Sequence, residues 1–145
     1  MFKHILIATD GSELAERAAA QGIELARLLG AKVTAVSVTE PWAAVVTGEA
    51  AFGFPPADYD QGVIELATSV LARVAEMANA AGLQCATMHV KDHFPDAGIL
   101  AAAKDGGCDL IVMASHGRRG VARFLLGSVA SSVVALSPIP VLICR

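Results

Sequence analysis

Short apolar segments alternate with segments of helical periodicity along the whole chain. The apolar segments lie at residues 3–9, 32–38, 84–91, 110–114 and 139–144. Their length and their glycine, proline or aspartate boundaries predict β-strands, and the unbroken run at 110–114 is typical of a parallel strand buried on both faces. The segments with apolar residues at three- and four-residue intervals lie at 12–29, 59–81, 93–103 and 128–136. They predict four helices.

This alternation of strand and helix predicts an α/β fold, an open five-stranded parallel sheet with helices on both faces. At 145 residues the chain has the length of one domain with a sizeable core, and no linker or internal repeat divides it. We therefore expect a single domain over residues 1–145.

The pattern is interrupted at residues 41–58, where two glycines and the pair Pro55-Pro56 punctuate a segment that also holds Trp42, Phe52 and Phe54. A loop of this length without structure of its own is unusual in a compact domain. A mobile insertion and a functional lid both remain open as interpretations, and we expect the next helix to begin near Tyr59.

Composition and charge narrow the function classes. The hydrophobic share is 54%, much of it alanine, and the net charge is −3, which argues against a nucleic-acid binder. No apolar stretch reaches the length of a membrane span, and the amino terminus lacks the apolar region of a signal peptide. Three cysteines, Cys85, Cys108 and Cys144, stand singly in apolar stretches, which favours buried reduced thiols over disulfides or a zinc site. We expect a soluble cytoplasmic protein that binds neither nucleic acid nor membrane.

Residues 108–128 combine an apolar strand, a loop with glycines and arginines, and the start of a helix. Such a loop is a natural anion site, because free backbone N–H groups and the positive end of the helix dipole point into it. The spacing Gly117-x9-Gly127-Ser128 would place the Gly127 and Ser128 amides beside a phosphate, since a glycine lets the backbone approach closely. Taken alone this pattern is weak, because a plain turn and helix cap would also produce it.

The first strand ends at Asp10-Gly11 and the fourth at Ala114-Ser115. Ligands of open parallel sheets bind beyond the carboxyl ends of the strands, so both loops would face one crevice if these strands are neighbours. The chain contains neither a Walker A motif nor G-x-G-x-x-G after its first strand. Their absence excludes the usual switch-type NTPases and most nicotinamide dehydrogenases.

Several motifs occur in an order that resembles the universal stress protein family. They are Asp10-Gly11-Ser12, Ser115-His116-Gly117-Arg118-Arg119-Gly120, Leu125-Leu126-Gly127-Ser128 and Pro138-Ile139-Pro140-Val141-Leu142-Ile143. The resemblance covers essentially the whole chain, and it implies a Rossmann-like, adenine nucleotide alpha hydrolase-like sheet with strand order 3-2-1-4-5. The nucleotide-binding branch of the family carries G-x2-G-x9-G-[ST]. Gly117, Gly127 and Ser128 match this pattern, and Ala114 takes the place of the first glycine.

The resemblance implies an ATP site at the ends of strands one, two and four, with ADP or AMP as alternative ligands. The residues that would contact adenosine are Ala8, Thr9, Asp10 and Val38. Those along the ribose would be Met113 and Ala114, and those at the phosphates Gly117, Gly127, Ser128 and Val129. The remaining loop residues of the predicted nucleotide-binding set are Ser115, His116 and Arg118. Mg²⁺ would bridge phosphate oxygens, because protein carboxylates supply too few ligands for a cage of their own.

Some of these residues have a second interpretation. Asp10 could cap the first helix, His116 could be an ordinary exposed or backbone-bonded loop residue, and Arg118 could be a solvated charge. The methyl group of Ala114 is harmless if the residue keeps an extended backbone, but it crowds a ribose if the glycine is needed for contact.

The resemblance implies a dimeric stress-response or regulatory binding protein. The serines Ser115, Ser131 and Ser132 lack a recognisable base, so we expect at most slow ATP hydrolysis. A non-nucleotide-binding structural or interaction member of the family is the alternative. The final strand is apolar and is expected at the sheet edge, and the resemblance implies that homodimers form through it. Its residues are Pro140, Val141, Leu142, Ile143 and Cys144. An edge covered by the protein's own helices remains possible on sequence alone.

Overall fold

The computed structural model describes residues 1–117 and 125–145, which form one parallel sheet flanked by helices. The strands are β1 (His4–Ala8), β2 (Lys32–Thr39), β3 (Cys85–Lys91), β4 (Leu110–Ala114) and β5 (Val141–Cys144). The helices of this part of the chain are α1 (Glu13–Leu29), α2 (Trp42–Val45), α3 (Ala50–Gly53), α4 (Pro56–Ala80), α5 (Pro95–Asp105) and α6 (Ser128–Leu136).

The strand order is β3-β2-β1-β4-β5, and every strand pair is parallel. This confirms the predicted fold class and strand order. The central strand β1 pairs with β2 on one side and with β4 on the other, so Ile7 lies opposite both Ala35 and Val112. The chain therefore changes direction across the sheet between β1 and β4, and a ligand crevice is expected at their carboxyl ends.

Alternate residues of the buried strands supply the two hydrophobic cores. Ile5 and Ile7 of β1 join the cluster beneath α1 and α4, whereas Leu6 joins the cluster beneath α5 and α6. Small residues on α1 let it pack directly on the sheet, and a Cβ atom added to Gly22 would lie 3.1 Å from Cδ1 of Ile7. The many alanines of the sequence thus serve close packing of helix on strand.

The boundaries of α1 follow local sequence signals. Ser12 is its N-cap, and the Ser12 side chain accepts a hydrogen bond of 3.2 Å from the Ala15 amide. Gly30 ends the helix in a left-handed conformation, which glycine adopts without steric cost. The alternative in which Asp10 caps this helix is therefore wrong.

The segment between β2 and Tyr59 is more ordered than the sequence indicated. Two one-turn helices, α2 and α3, occupy much of it, and α4 begins at Pro56, three residues before the predicted start. Proline suits the first helical position because its missing N–H needs no partner there. Tyr59 donates a 2.6 Å hydrogen bond to the Glu40 carbonyl oxygen, and the Trp42 indole donates a 2.9 Å bond to that of Phe54. The first bond joins the two residues that flank the segment, and the second joins two residues within it.

Two of the three cysteines are buried, as predicted, while Cys85 is only partly buried. Burial, with a contribution from the Asp109 carboxylate, raises the pKa of Cys108 to about 11, so this thiol stays protonated at neutral pH. No helix within residues 1–117 and 125–145 is long and apolar enough to cross a membrane.

Candidate functional site

A crevice of about 610 Å³ opens at the carboxyl ends of the central strands. Pockets of roughly 300–1,000 Å³ are typical of small-molecule sites. The predicted site residues that line it are Ala8, Thr9, Asp10, Val38, Met113, Ala114, Ser115, His116, Gly117, Gly127, Ser128 and Val129. Arg118 lies outside the described residues. The topology has thus brought together, from four separate segments, every predicted site residue that the structure describes.

The turn after β1 presents Asp10 to the crevice. The Thr9 amide donates to the Val36 carbonyl oxygen at 2.9 Å, which extends the sheet by one residue. The chain then turns at Gly11, which has a φ of 78°, and the Ser12 amide donates to Oδ1 of Asp10 at 2.9 Å. The hydrogen bond to Oδ1 therefore stabilises the turn. The other carboxylate oxygen, Oδ2, lies beside Gly117 of the facing loop.

The loop after β4 is closed at its base by a backbone hydrogen bond. The Gly127 amide donates to the Ser115 carbonyl oxygen at 2.7 Å, and the Ser115 amide donates to the Cys144 carbonyl oxygen at 2.8 Å. A Cβ atom on Gly127 would lie 3.0 Å from that Ser115 oxygen, so a glycine suits the close approach. This arrangement brings the start of α6 to the end of β4.

The same bond corrects one predicted role. The Gly127 amide was expected to face a phosphate, but it is already used inside the loop. The first-turn amides that a helix leaves without an internal acceptor are then those of Ser128, Val129 and Ala130. Together with the positive end of the helix dipole, these three amides make the start of α6 a candidate anion site in the crevice.

His116 stands beside this helix start. Its Nδ1 atom lies 3.0 Å from Oγ of the buried Ser115, and its Cδ2 atom would be 3.6 Å from a Cβ on Gly127. The ring is therefore placed by its neighbours on the crevice wall and is neither fully exposed nor bonded only to backbone.

The alanine that replaces the first glycine of the family pattern is part of a regular strand. Ala114 pairs with Cys144 in the β4–β5 ladder, and among the described residues only Asp92 is a non-glycine with positive φ. Its side chain packs in the core cluster beneath α1, whereas Met113 faces the opposite side of the sheet. The backbone at this position thus makes no demand for glycine.

Helix α5 supplies a wall that the sequence motifs did not indicate. A Cβ atom on Gly98 would lie 2.5 Å from Cγ1 of Val38, so α5 packs against the end of β2 at van der Waals contact. The lining residues that sequence reasoning missed are Ala15, Val36, Glu40, Phe94, Pro95, Asp96, Ile99 and Ala130. A topological signal was available, since a helix that follows a parallel strand starts at the carboxyl edge of the sheet.

The lining includes three carboxylates, those of Asp10, Glu40 and Asp96, and within residues 1–117 and 125–145 it includes no lysine or arginine. The Ser132 hydroxyl donates a hydrogen bond of 2.5 Å to Asp96, and the Ala97 amide donates a second of 2.9 Å. These bonds hold the pKa of Asp96 below its ordinary value, so this side chain is charged at neutral pH. No group of three or more metal-ligating side chains occurs in the described part of the chain.

An open parallel sheet with a ligand crevice at its switch point defines the doubly wound α/β class of proteins. Within that class the sequence matches the model of the universal stress protein family over residues 1–145, and the chain belongs to this family.

Individual relatives agree with this assignment. Universal stress protein YxiE of Bacillus subtilis (strain 168) is 33% identical over an alignment that covers 100% of both chains. Among solved structures, hypothetical protein MJ0577 superposes with a TM-score of 0.83 at 28% identity, covering 99% of this chain and 96% of that one.

Two further structures of the fold contain nucleotides. A universal stress protein in complex with cAMP has a TM-score of 0.71 at 23% identity, with 99% of this chain and 97% of that chain covered. One from Archaeoglobus fulgidus in complex with dAMP has a TM-score of 0.71 at 22% identity, with 100% and 98% covered.

Proposed function

We propose that this protein binds an adenine nucleotide, ATP with Mg²⁺, in the crevice and acts as a dimeric stress-response or regulatory binding module. One observation carries the proposal: the first turn of α6 presents the amides of Ser128, Val129 and Ala130 at the end of β4, in a crevice large enough for a nucleotide. Family membership and the cAMP and dAMP complexes of proteins with the same fold support it.

The crevice has an apolar end and an anion-binding end, as a nucleotide requires. Val38, Ile99 and Met113 form an apolar wall at the ends of β2 and β4, where the base and ribose would lie. Asp10 follows β1, which lies between β2 and β4, and it is a natural partner of ribose hydroxyls, because a carboxylate accepts hydrogen bonds. The phosphates would then extend toward Ser128.

A divalent cation fits this donor set when the phosphates supply most of its ligands. The lining carries three carboxylates, but the described residues gather no cluster that would hold a metal ion alone. Mg²⁺ commonly keeps one or two carboxylates, several waters and phosphate oxygens as its ligands. Asp10 is the residue we expect to help hold it, and the cation would offset phosphate charge beside these carboxylates.

We expect binding, with hydrolysis no faster than a slow background reaction. Ser115, which precedes the loop to α6, is bonded to the adjacent His116, and its buried hydroxyl is used in holding that ring. A rapid phosphoryl transfer would need a positioned water and charge stabilisation at the terminal phosphate.

The dimer would form through β5, the edge strand on one side of the sheet. Large apolar side chains are exposed around it, among them Leu142 of the strand and Val134 and Leu136 of the adjoining α6. An apolar edge strand with free backbone groups favours pairing with a second strand.

Cytoplasmic location remains a prediction from the unpaired cysteines.

Two measurements test the nucleotide. Purified protein is denatured and the released small molecules are identified by mass spectrometry, and ligand-free protein is titrated calorimetrically with Mg-ATP. A Gly127→Glu variant is the control, because it places a carboxylate at the start of α6 and crowds the Ser115 carbonyl oxygen. We expect an adenine nucleotide or a clear binding isotherm in the wild type only. Absence of both in the wild type would contradict the proposal, and phosphate release far above this control would indicate an enzyme.

A further inference from the structure

A hydrogen bond joins the first turn of α5 to α6 at the wall of the crevice. Oγ of Ser132 donates to Oδ2 of Asp96 at 2.5 Å, and both residues are partly buried. Asp96 lines the crevice, whereas Ser132 lies one turn beyond the amides at the start of α6. Neither residue belongs to the motifs that define the nucleotide site.

The start of α6 has few other anchors in the described part of the chain. Its N-cap, Gly127, has no side chain that could bond to the first turn, and the backbone bond from Gly127 to Ser115 holds only the residue before the helix. On the helix itself, Ala130 and Val133 are buried against the sheet, which sets the face that α6 turns to the core, but apolar contacts are less directional than a hydrogen bond. A short, charge-assisted hydrogen bond is directional and can fix the rotation of α6 about its axis.

The Asp96 charge carries a cost in a site for phosphates. The carboxylate lies in the same crevice as the helix start, and like charges in a partly buried site repel over several ångströms. The side chain is nevertheless held in place by Ser132 and by the Ala97 amide. A structural gain at α6 would explain why a negative charge is kept there.

We propose that Asp96 is a positioning residue, which through Ser132 fixes the orientation of the first turn of α6 and so aims the amides of residues 128–130 at the phosphates. This role rests on the proposed nucleotide-binding function and deepens it. Its effect should appear only for ligands that carry phosphate, since adenosine makes no contact with these amides.

Four variants separate the effect of the Ser132–Asp96 hydrogen bond, here called the tether, from the effect of the Asp96 charge. Ser132→Ala removes the tether and keeps the charge. Asp96→Asn keeps an acceptor for Ser132 and removes the charge, and Asp96→Ala removes both. Ser131→Ala is the matched control, because Ser131 is an exposed serine on the same helix. Each variant is titrated calorimetrically with Mg-ATP and with adenosine, and its thermal unfolding is recorded.

We expect Ser132→Ala to weaken ATP binding by about tenfold, which is the size of a lost hydrogen bond to a charged group. Adenosine affinity should change by less than about twofold. Asp96→Asn should bind ATP at least as tightly as the wild type, because the tether survives without the charge. Asp96→Ala should be weaker than Asp96→Asn, and Ser131→Ala should match the wild type.

Equal losses for ATP and adenosine in Ser132→Ala would mean a general structural role and would overturn the inference. So would an unchanged ATP affinity in Ser132→Ala, or an Asp96→Asn variant as weak as Asp96→Ala. These outcomes leave the nucleotide site intact, because the wild type still binds ATP. A wild type that binds neither ligand would instead reject the proposed function itself.

Discussion

The Asp10 carboxylate occupies the space that a side chain on Gly117 would need. A Cβ atom at position 117 would lie 2.7 Å from Oδ2 of Asp10, well inside van der Waals contact. Gly117 does not have a positive φ, so its role is to leave space and not to adopt an unusual backbone conformation. The turn after β1 and the loop after β4 therefore meet at this point, and the two halves of the crevice depend on each other.

Replacing Gly117 with alanine should damage the site more than the fold. The new methyl group must displace the end of the Asp10 side chain or the loop, and either shift changes the crevice while the buried core stays as it is. We expect Mg-ATP affinity to fall at least about tenfold, as judged by calorimetry. Gly62→Ala is the matched control, since a Cβ there meets nothing within 4 Å, and it should leave binding unchanged. Equal ATP affinity in the Gly117→Ala and Gly62→Ala variants would show that the contact is unimportant.

A second glycine controls the wall between α5 and β2. Gly98→Ala would place a Cβ atom 2.5 Å from Cγ1 and 2.7 Å from Cγ2 of Val38. A β-branched side chain on a strand has little rotamer freedom, so the helix must move away. We expect chemical denaturation to show a loss of about 1–3 kcal/mol in the free energy of unfolding, together with weaker nucleotide binding. A stability equal to that of the wild type would argue against tight packing here.

Acid should remove a contribution to folding stability that is made at the amino-terminal ends of β1 and β4. The Asp109 carboxylate accepts hydrogen bonds from the amides of His4, at 3.0 Å, and Lys3, at 2.8 Å, and these bonds lower the pKa of Asp109 from its ordinary value of 3.8. Because the folded-state pKa lies below the unfolded one, the stabilisation is complete above about pH 3.8 and is lost as the pH falls through the folded value.

Asp109→Asn tests this dependence. Urea midpoints of the wild type and the variant should differ at neutral pH and should converge as the pH falls through the lowered pKa of Asp109, since protonation removes the same charge as the substitution. A difference in urea midpoint that stays constant across the acid range would mean that the substitution acts through altered hydrogen-bond geometry and not through the lost charge.

The fold was predictable because its local signals agree with each other. The apolar run at 110–114 forms β4, and the predicted helical segment at 12–29 forms α1 between its caps Ser12 and Gly30. The structure of the segment before Tyr59 was not predictable, because one-turn helices such as α2 and α3 contain too few residues to show a period. Tertiary hydrogen bonds, such as that of Tyr59 to Glu40, order this segment and leave no trace in the sequence pattern.

The residues of the candidate site also fall into those that the sequence predicts and those that it does not. Its motif residues, such as Asp10 and Gly127, were visible because glycine spacing and strand ends have sequence signatures. Asp96 and Phe94 were not, because they join the crevice only through the packing of α5 on Val38. The use of the Gly127 amide within its own loop was also hidden, since a pattern of glycines does not reveal hydrogen-bond partners.

The edge strand β5 offers a direct test of dimer formation. Leu142 exposes 39% of its surface on this strand, and a Leu142→Arg substitution would put a charge at the centre of the proposed interface. We expect sedimentation velocity to give a dimer for the wild type and a monomer for the variant. Leu28→Arg is the matched control, because Leu28 on α1 is 68% exposed and lies outside this strand. A monomeric wild type at every concentration, or a dimeric Leu142→Arg variant, would contradict the interface.

Ala114→Gly decides whether the departure from the family's glycine pattern matters. Ala114 lies in a regular strand with its side chain in the core beneath α1, so removing the methyl group should give the ligand no useful space. The variant should lose about 1–2 kcal/mol of folding stability, from one buried methyl group and from the greater freedom of glycine in the unfolded chain. Its ATP affinity should stay within about threefold of the wild type, a difference of less than 1 kcal/mol. A gain of tenfold or more would show that the methyl group crowds the nucleotide. Failure of both proteins to bind would favour the alternative of a family member that has lost its ligand.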